Sequence, residues 1–318
     1  MTRRTVLAVG GATLAAGFVS TAHAQNKRVR MGYNVDFHSA SLPMIADSLG
    51  LWKKNGVDIE LLKFTNGPLQ VQALEAGSLE FGYIGPGALW LPMAGRSKII
   101  ALNALSFSDR IIAQPPLKSL SALKGKKVGV PSGSTGEMIL RLALESEGMA
   151  LTDVNVLAMD PSTIVAAFSS GQIDAAGIWY PLAGTIKKAV PELNELAKDA
   201  DFASKVSFPS AFVTRDVIIQ KDSEMVAKVV GVLKEAQDFR ANNVQRAVEI
   251  TGERLGIAPE TLKLEATGLL TSKELEKLTK DGTVEKWLNV LEAMFRSFGH
   301  SEKFLPVSDY YKRQFYAE

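Results

Sequence analysis

The chain has 318 residues, with 36 basic and 34 acidic side chains, three histidines and no cysteine. Without a thiol there can be no cysteine nucleophile, thiolate metal site, disulfide or lipid-modified N-terminal cysteine. The near-neutral charge lacks the basic excess of a nucleic-acid binder, and the length suffices for two domains of ordinary size.

Residues 1–24 read as a secretory signal peptide. Arg3 and Arg4 form a basic head, Val6 to Val19 an apolar run, and Ala22-His23-Ala24 a small-x-small cleavage site before Gln25. The run is shorter than the roughly 20 residues of a spanning helix. The paired arginines suit the twin-arginine route or an ordinary Sec head, and both stay open. Cleavage after Ala24 would leave 294 residues carrying 34 basic and 34 acidic side chains, so the formal excess belongs to the signal. No later run of 18 apolar residues occurs, and a soluble exported protein is expected.

Strands and helices then alternate. Val29–Tyr33 reads as a strand. Leu42, Ile45, Ala46 and Leu49 form one apolar helix face, with Ser41 as cap and Pro43 in the first turn. Val57–Phe64 is a strand, a helix runs from Pro68 to Gly77, and strands follow at Leu79–Ile84 and Ile99–Leu105. The order recurs with a strand at Lys127–Val130, a helix through Met138 and Leu142, a strand at Val154–Met159, a helix at Ser162–Ser169 and a strand at Ile173–Ile178. Beyond Lys221 helices follow one another, over Val226–Ala241, Ala247–Leu255, Pro259–Ala266 and Val284–Phe298. Such alternation predicts α/β architecture with a largely parallel sheet covered by helices.

A weak duplication accompanies it. Phe81-Gly82-Tyr83-Ile84-Gly85-Pro86 echoes Ala175-Ala176-Gly177-Ile178-Trp179-Tyr180-Pro181 at an offset of 94 residues, and Met31-Gly32-Tyr33 echoes Val128-Gly129-Val130 at 97. Any βαβ protein shows some echo of this kind. Read as two similar lobes, it sets Tyr33, Tyr83, Val130 and Trp179 around one cleft, beyond the carboxyl ends of strands.

These segments, with Glu75-Ala76-Gly77-Ser78-Leu79-Glu80 and the block from Leu123 to Thr135, resemble the periplasmic solute-binding proteins of the taurine, aliphatic sulfonate and nitrate ABC importers. The resemblance spans about residues 28–215. It implies a type II two-lobed clamp, each lobe a mixed sheet flanked by helices, with a helical C-terminal tail. Residues 25–113 and 215–318 would form lobe I, and 114–214 lobe II. It further implies a monomer in the periplasm, without cofactor or metal, that captures a small organic anion and delivers it to a membrane permease and its ATPase.

The candidate site follows the strand ends. Ser132-Gly133-Ser134-Thr135-Gly136 joins a strand to a helix, so backbone N–H groups and the hydroxyls of Ser132, Ser134 and Thr135 can meet an anion. Capping by Ser134 or Thr135 explains the same residues and is compatible with that role. Tyr83 offers a ring and a hydroxyl, and Gly85, Pro86 and Gly87 make the matching loop. Trp179 and Tyr180 could cover an organic tail. Tyr33, Asn34, His38 and Asn66 complete the set. The resemblance implies that a taurine binder carries an acid just before the second crossing, yet Ser207 to Phe212 holds none, and Asp36 is the one substitute. Nitrate, an aromatic carboxylate or a thiamine- or riboflavin-type precursor are alternatives, with Phe37, Trp90, Trp179 and Tyr180 suited to a flat ring. An enzyme on the same fold is disfavoured. After the signal only His38 and His300 remain, and no nucleotide-binding, nucleophile-elbow or zinc motif occurs.

Overall fold

A computed structural model describes residues 28–263, 265–300 and 303–317. The expected signal lies outside them. Ten strands occur among the described residues: β1 (Val29–Asn34), β2 (Ile59–Phe64), β3 (Gly82–Ile84), β4 (Lys98–Leu105), β5 (Asp109–Ala113), β6 (Lys127–Val130), β7 (Asn155–Ala158), β8 (Ala175–Trp179), β9 (Asn194–Lys198) and β10 (Pro209–Thr214).

They form two halves with one strand plan. In the first, β1 lies parallel to β2, and β10 lies antiparallel between β3 and β4. A parallel bridge from Met31 to Phe81 and the Gly32 N–H bond to the Phe81 carbonyl at 2.9 Å join the two groups, giving the order β2-β1-β3-β10-β4. The second half reads β7-β6-β8-β5-β9, with β5 antiparallel to β8 and β9. The echoing segments occupy matching places, β1 with β6 and β3 with β8. Each half also takes its antiparallel strand from across a crossing.

The fold is therefore the expected α/β type II clamp. Strand membership differs from the expected boundaries at both crossings, since β5 hydrogen-bonds into the second sheet and β10 into the first. The crossings run side by side, tied by the Ser106 N–H to the Phe208 carbonyl at 2.8 Å and by the edge-on rings of Phe107 and Phe208.

Local chemistry sets the helix starts. The first helix, Phe37–Ser48, begins a turn earlier than expected. Asp36, not Ser41, is its cap, because its extended backbone lets the carboxylate accept the Ser39 N–H at 2.7 Å. Pro43 sits inside the helix rather than in its first turn. Asn66 caps the Gly67–Glu75 helix through the Leu69 N–H at 3.0 Å. The helix Thr135–Ser146 starts hard against β8. A β-carbon on either Gly136 or Gly177 would overlap the other's carbonyl, so this pair seats the helix start at the end of the sheet.

The helical tail closes on the first half. Ser223–Asn242 packs against Phe37–Ser48 and β4. Fully buried Arg240 donates to the Ser41 hydroxyl and the Asn103 carbonyl, both at 2.9 Å. Near the chain end, Tyr316 donates to Gln237 at 2.5 Å. On β1, Arg30 meets Glu80 through two bonds of 2.8 and 3.0 Å and also donates to the Gly77 carbonyl at 2.7 Å. Glu80 is nearly buried, so Arg30→Ala removes its guanidinium partner in a poorly solvated place. A loss of about 2 kcal/mol is expected in urea unfolding. A shift below a quarter of that would mean that the pair is no more than a solvated surface bridge.

Candidate functional site

Between the two sheets lies a small pocket, with about 410 Å³ of atom-free space, part of which opens to solvent. From the first half it is lined by Asn34, Asp36, His38, Gly67, Pro68, Tyr83, Gly85, Pro86 and Ala88, and from the second by Asp109, Ser134, Thr135 and Trp179. Ser106 and Ser108 of the first crossing complete it, their hydroxyls 3.2 Å apart.

Hydrogen bonds fix the first wall. Buried Gln70 donates to Asn34 Oδ1 at 2.7 Å and accepts the Tyr83 N–H at 2.8 Å, tying the ends of β1 and β3 to one helix. The Asn34 N–H is held by the Ser39 hydroxyl at 2.8 Å. The Tyr83 ring packs edge-on against Phe212.

The opposite wall is the start of Thr135–Ser146. Gly133, with φ of 67°, turns the chain out of β6. Ser134 donates to the Pro131 carbonyl at 2.6 Å and accepts the Gly136 N–H at 3.3 Å. Glu137 takes the Gly133 N–H at 2.8 Å and the Ser132 hydroxyl at 3.2 Å. Burial raises the pKa of Glu137, but the Gly133 N–H and Arg141 outweigh this and hold it below its ordinary value. Ser132 and Gly133 are thus engaged by Glu137, and the cavity face of the helix start falls to Ser134 and Thr135.

The halves are closed on each other. The Gly87 N–H donates to Thr135 Oγ1 at 3.3 Å, and Trp90 Nε1 to the Gly133 carbonyl at 3.1 Å. Trp90 stacks on His300 with centroids 4.9 Å apart. Arg141 reaches across to the Phe298 carbonyl at 3.3 Å and lies over the Phe298 ring.

Of the residues singled out in the sequence, Asn34, His38, Tyr83, Gly85, Pro86, Ser134, Thr135 and Trp179 come together in the lining. Tyr33 lies half-buried on β1 opposite Lys63, outside it. Asn66 is occupied as a helix cap, and Ser132 is exposed and bonded to Glu137. Tyr180 packs into the second half, with Arg110 over its ring and its hydroxyl 3.3 Å from Glu195. Trp90 holds the closure contact rather than lining the cavity.

Sequence reasoning missed Asp109, Ser106 and Ser108. The available signal was Ser106-Phe107-Ser108-Asp109, a polar cluster directly after the apolar strand ending at Leu105. Asp109 supplies an acid at the first crossing, where none stands before the second. Its N–H donates to Asp199 Oδ2 at 2.8 Å, and both carboxyl groups are almost wholly buried. Burial and the neighbouring Asp199 push the Asp109 carboxyl well above its ordinary range, and burial raises Asp199 to about 8. Burial also raises Asp36 to about 6, against the pull of the Ser39 N–H. His38 moves the other way, to about 3, through burial and the Arg240 charge, and is neutral.

Known proteins agree with this architecture. The family described as NMT1/THI5 like matches residues 40–247. A Brucella abortus (strain 2308) protein, provisionally named as a binding protein with no ligand given, is 51% identical over 99% of both chains. The taurine-binding periplasmic protein of Escherichia coli (strain K12) is 24% identical over 76% of this chain and 78% of its own. The ligand-binding component of an ABC-type import system from Staphylococcus aureus, solved with zinc bound, superposes with a TM-score of 0.72 at 17% identity, over 91% of this chain and 97% of that one. With the family pattern spanning most of the chain and a close relative matching it end to end, the chain belongs to the NMT1/THI5-like family.

Proposed function

We propose that this chain is the exported solute-binding component of an ABC importer, and that it captures a small organic solute with a sulfonate-like head. The observation carrying the reading is the cavity between the touching halves, in which the Tyr83–Pro86 loop of one half faces the Ser134–Thr135 helix start of the other. A helix start offers N–H donors and the positive end of a dipole to an anionic head. The likeness to a taurine-binding periplasmic protein and to an import-system component supports the same role. The aromatic lining is reduced to Tyr83 and Trp179, since Trp90 and Tyr180 lie outside it, and this favours a compact solute over a broad flat ring.

Capture is by hinge closure, without turnover. Lobe I would hold 28–105 and 209–317 of the described residues, and lobe II 109–205, bending at the paired crossings. The closed monomer would then dock in the periplasm on a permease with its ATPase.

The test is a thermal-shift screen of the purified protein against sulfonates, carboxylates, nitrate and vitamin precursors, followed by calorimetry on the hit. A sulfonate is expected to raise the melting temperature most. The double substitution Ser134→Ala, Thr135→Ala should then weaken binding by about tenfold or more, the equivalent of one or two hydrogen bonds to a charged head. Unchanged affinity in that variant would remove the head from this turn, and turnover of the bound compound would end the binding-protein reading.

A further inference from the structure

Past the Gly32 bond to Phe81, β1 and β3 are joined by a side chain. Gln70 comes from the Gly67–Glu75 helix and is 0% exposed. Two glycines make room for its amide. A β-carbon on Gly32 would stand 2.5 Å from Gln70 Oε1, and one on Gly82 3.3 Å from it.

The bonds through this amide run in one direction. The Tyr83 N–H can only donate, so at 2.8 Å it fixes the carbonyl oxygen of Gln70 towards itself. The Gln70 NH2 is thereby turned on Asn34 at 2.7 Å, where it needs an acceptor, and Asn34 supplies Oδ1. The Asn34 NH2 then points away from Gln70, on a residue that lines the cavity. Burial raises the Asp36 carboxyl, and the Ser39 N–H and the Asn34 amide pull against it, as a donor end beside Asp36 requires. An NH2 group carries two N–H donors, so one bond to Asp36 leaves a second for the cavity. Reversing either amide would set like ends against each other in a dry place, which costs the bond and the desolvation of both groups.

We propose that Gln70 is a positioning residue for solute binding: through Asn34 it carries the fixed polarity of the Tyr83 N–H to the cavity wall as a hydrogen-bond donor, which selects a solute presenting an acceptor oxygen there. The proposal rests on the cavity being the solute site, and Gln70 itself does not line it. The donor stands on the first half, while Ser134 and Thr135 stand on the second, so acceptor oxygens are met from both sides. Unlike the helix start, its sign is held by a side chain and can be inverted. In Gln70→Glu the carboxylate keeps the Tyr83 N–H on one oxygen and turns the other on Asn34, whose amide flips to donate to it. Asn34 Oδ1 then faces the cavity and repels an acceptor. In Gln70→Met nothing orients Asn34, and both settings of its amide are populated.

The test is calorimetry on the purified protein, at about pH 8, with matched pairs in which one acceptor oxygen is replaced by an amino group: ethanesulfonate with ethanesulfonamide, and propionate with propionamide. In the parent protein the acid of at least one pair should bind about tenfold or more tighter than its amide. That preference should fall about tenfold or more in Gln70→Glu and about threefold in Gln70→Met. Both falls should vanish when Asn34→Leu is already present, because no amide is left to orient. A fall of equal size in the Asn34→Leu background would be the field of the added charge alone, and overturns the relay. A glutamine that merely supports the fold would weaken acid and amide alike. An unchanged preference in both Gln70→Glu and Gln70→Met therefore overturns the proposal, and the methionine variant carries the test alone if the glutamate variant does not unfold cooperatively.

Failure of the relay and failure of the sulfonate reading are distinguishable. Ethanesulfonate preferred equally in the parent and both Gln70 variants leaves the head in place and overturns the relay. The expected shifts in the propionate pair, with neither sulfur compound binding, support the relay and overturn the sulfonate head. No preference for acid over amide in either pair overturns the relay.

Discussion

Replacing Gly87 with valine is expected to weaken solute binding at least a hundredfold while leaving each lobe folded. Gly87 sits in the Pro86–Ala88 turn, and its N–H reaches Thr135 across the cleft. A β-carbon there would overlap the Thr135 N and Cα and the Ser134 carbonyl carbon, all backbone at a helix start and unable to swing aside. The lobes would stop short of closure, and a solute gripped from both sides would lose one side. The loss of two or three charge-assisted bonds corresponds to about 3 kcal/mol, hence the hundredfold figure. Alanine should give a smaller loss, since a slight opening accommodates one methyl group.

Gly85→Ala serves as the control. Its β-carbon would come 2.8 Å from Thr135 Oγ1, a hydroxyl that can rotate away, so no more than a modest loss is expected. Binding is read by calorimetry and closure by the solute-induced drop in radius of gyration in X-ray scattering. Gly87→Val should bind weakly and stay extended with saturating solute, with cooperative unfolding close to that of the parent protein. Wild-type affinity and full contraction in this variant would mean that this turn does not meet the helix in the bound form.

Much of this arrangement is legible in the sequence, for identifiable reasons. Strands such as Lys127–Val130 carry apolar runs that end at glycine or proline, and the structure gives β6 those same bounds. The long tail helix Ser223–Asn242 announces itself by Val226, Val229, Val230 and Leu233 at helical spacing. The strands that escaped are β5, β9 and β10. β5 opens with Asp109 and Arg110, one facing the cavity and the other bonded to Glu195, so its polar residues serve the site rather than a solvent face. β9 is a sheet edge whose Asn194, Glu195 and Lys198 leave only Leu196 and Ala197 as an apolar signal. The cleft loops were found because a glycine or serine after a strand is a local signal. The buried acid pair was not, because Asp109 becomes an inward-facing acid only when Asp199, 90 positions on, is brought beside it. Likewise Ser41 looked like a cap in isolation, while the structure commits its hydroxyl to Arg240 from the distant tail.

The buried acids Asp36, Asp109, Asp199 and Glu265 make thermal stability fall as the solution turns alkaline, against the usual near-neutral plateau. Asp199 is raised to about 8 and Asp36 to about 6, whereas an unfolded aspartate titrates near 3.9. The native state therefore binds these protons more tightly than the unfolded state. Their contribution is complete below about pH 4 and is lost as pH rises through the native values. Asp109 and Glu265, both pushed up chiefly by burial, act in the same direction. His38 opposes them over a different window. Its native value near 3 lies below the unfolded 6.5, so its contribution is complete above about pH 6.5 and is lost only on acidification below that. Between about pH 6.5 and 8 the acids act without that opposition. One excess native proton over that range is worth about 2 kcal/mol, roughly 5 °C in melting temperature for a protein of this size. The ligand-free protein should melt highest near pH 5 and at least that much lower by about pH 8. Asp199→Asn cannot ionise, so it should melt higher than the parent at pH 8 and show a flatter slope. A melting temperature that is constant or rises between about pH 6 and 8, or a slope untouched by Asp199→Asn, would mean that these carboxyl groups are solvated and already charged at neutral pH.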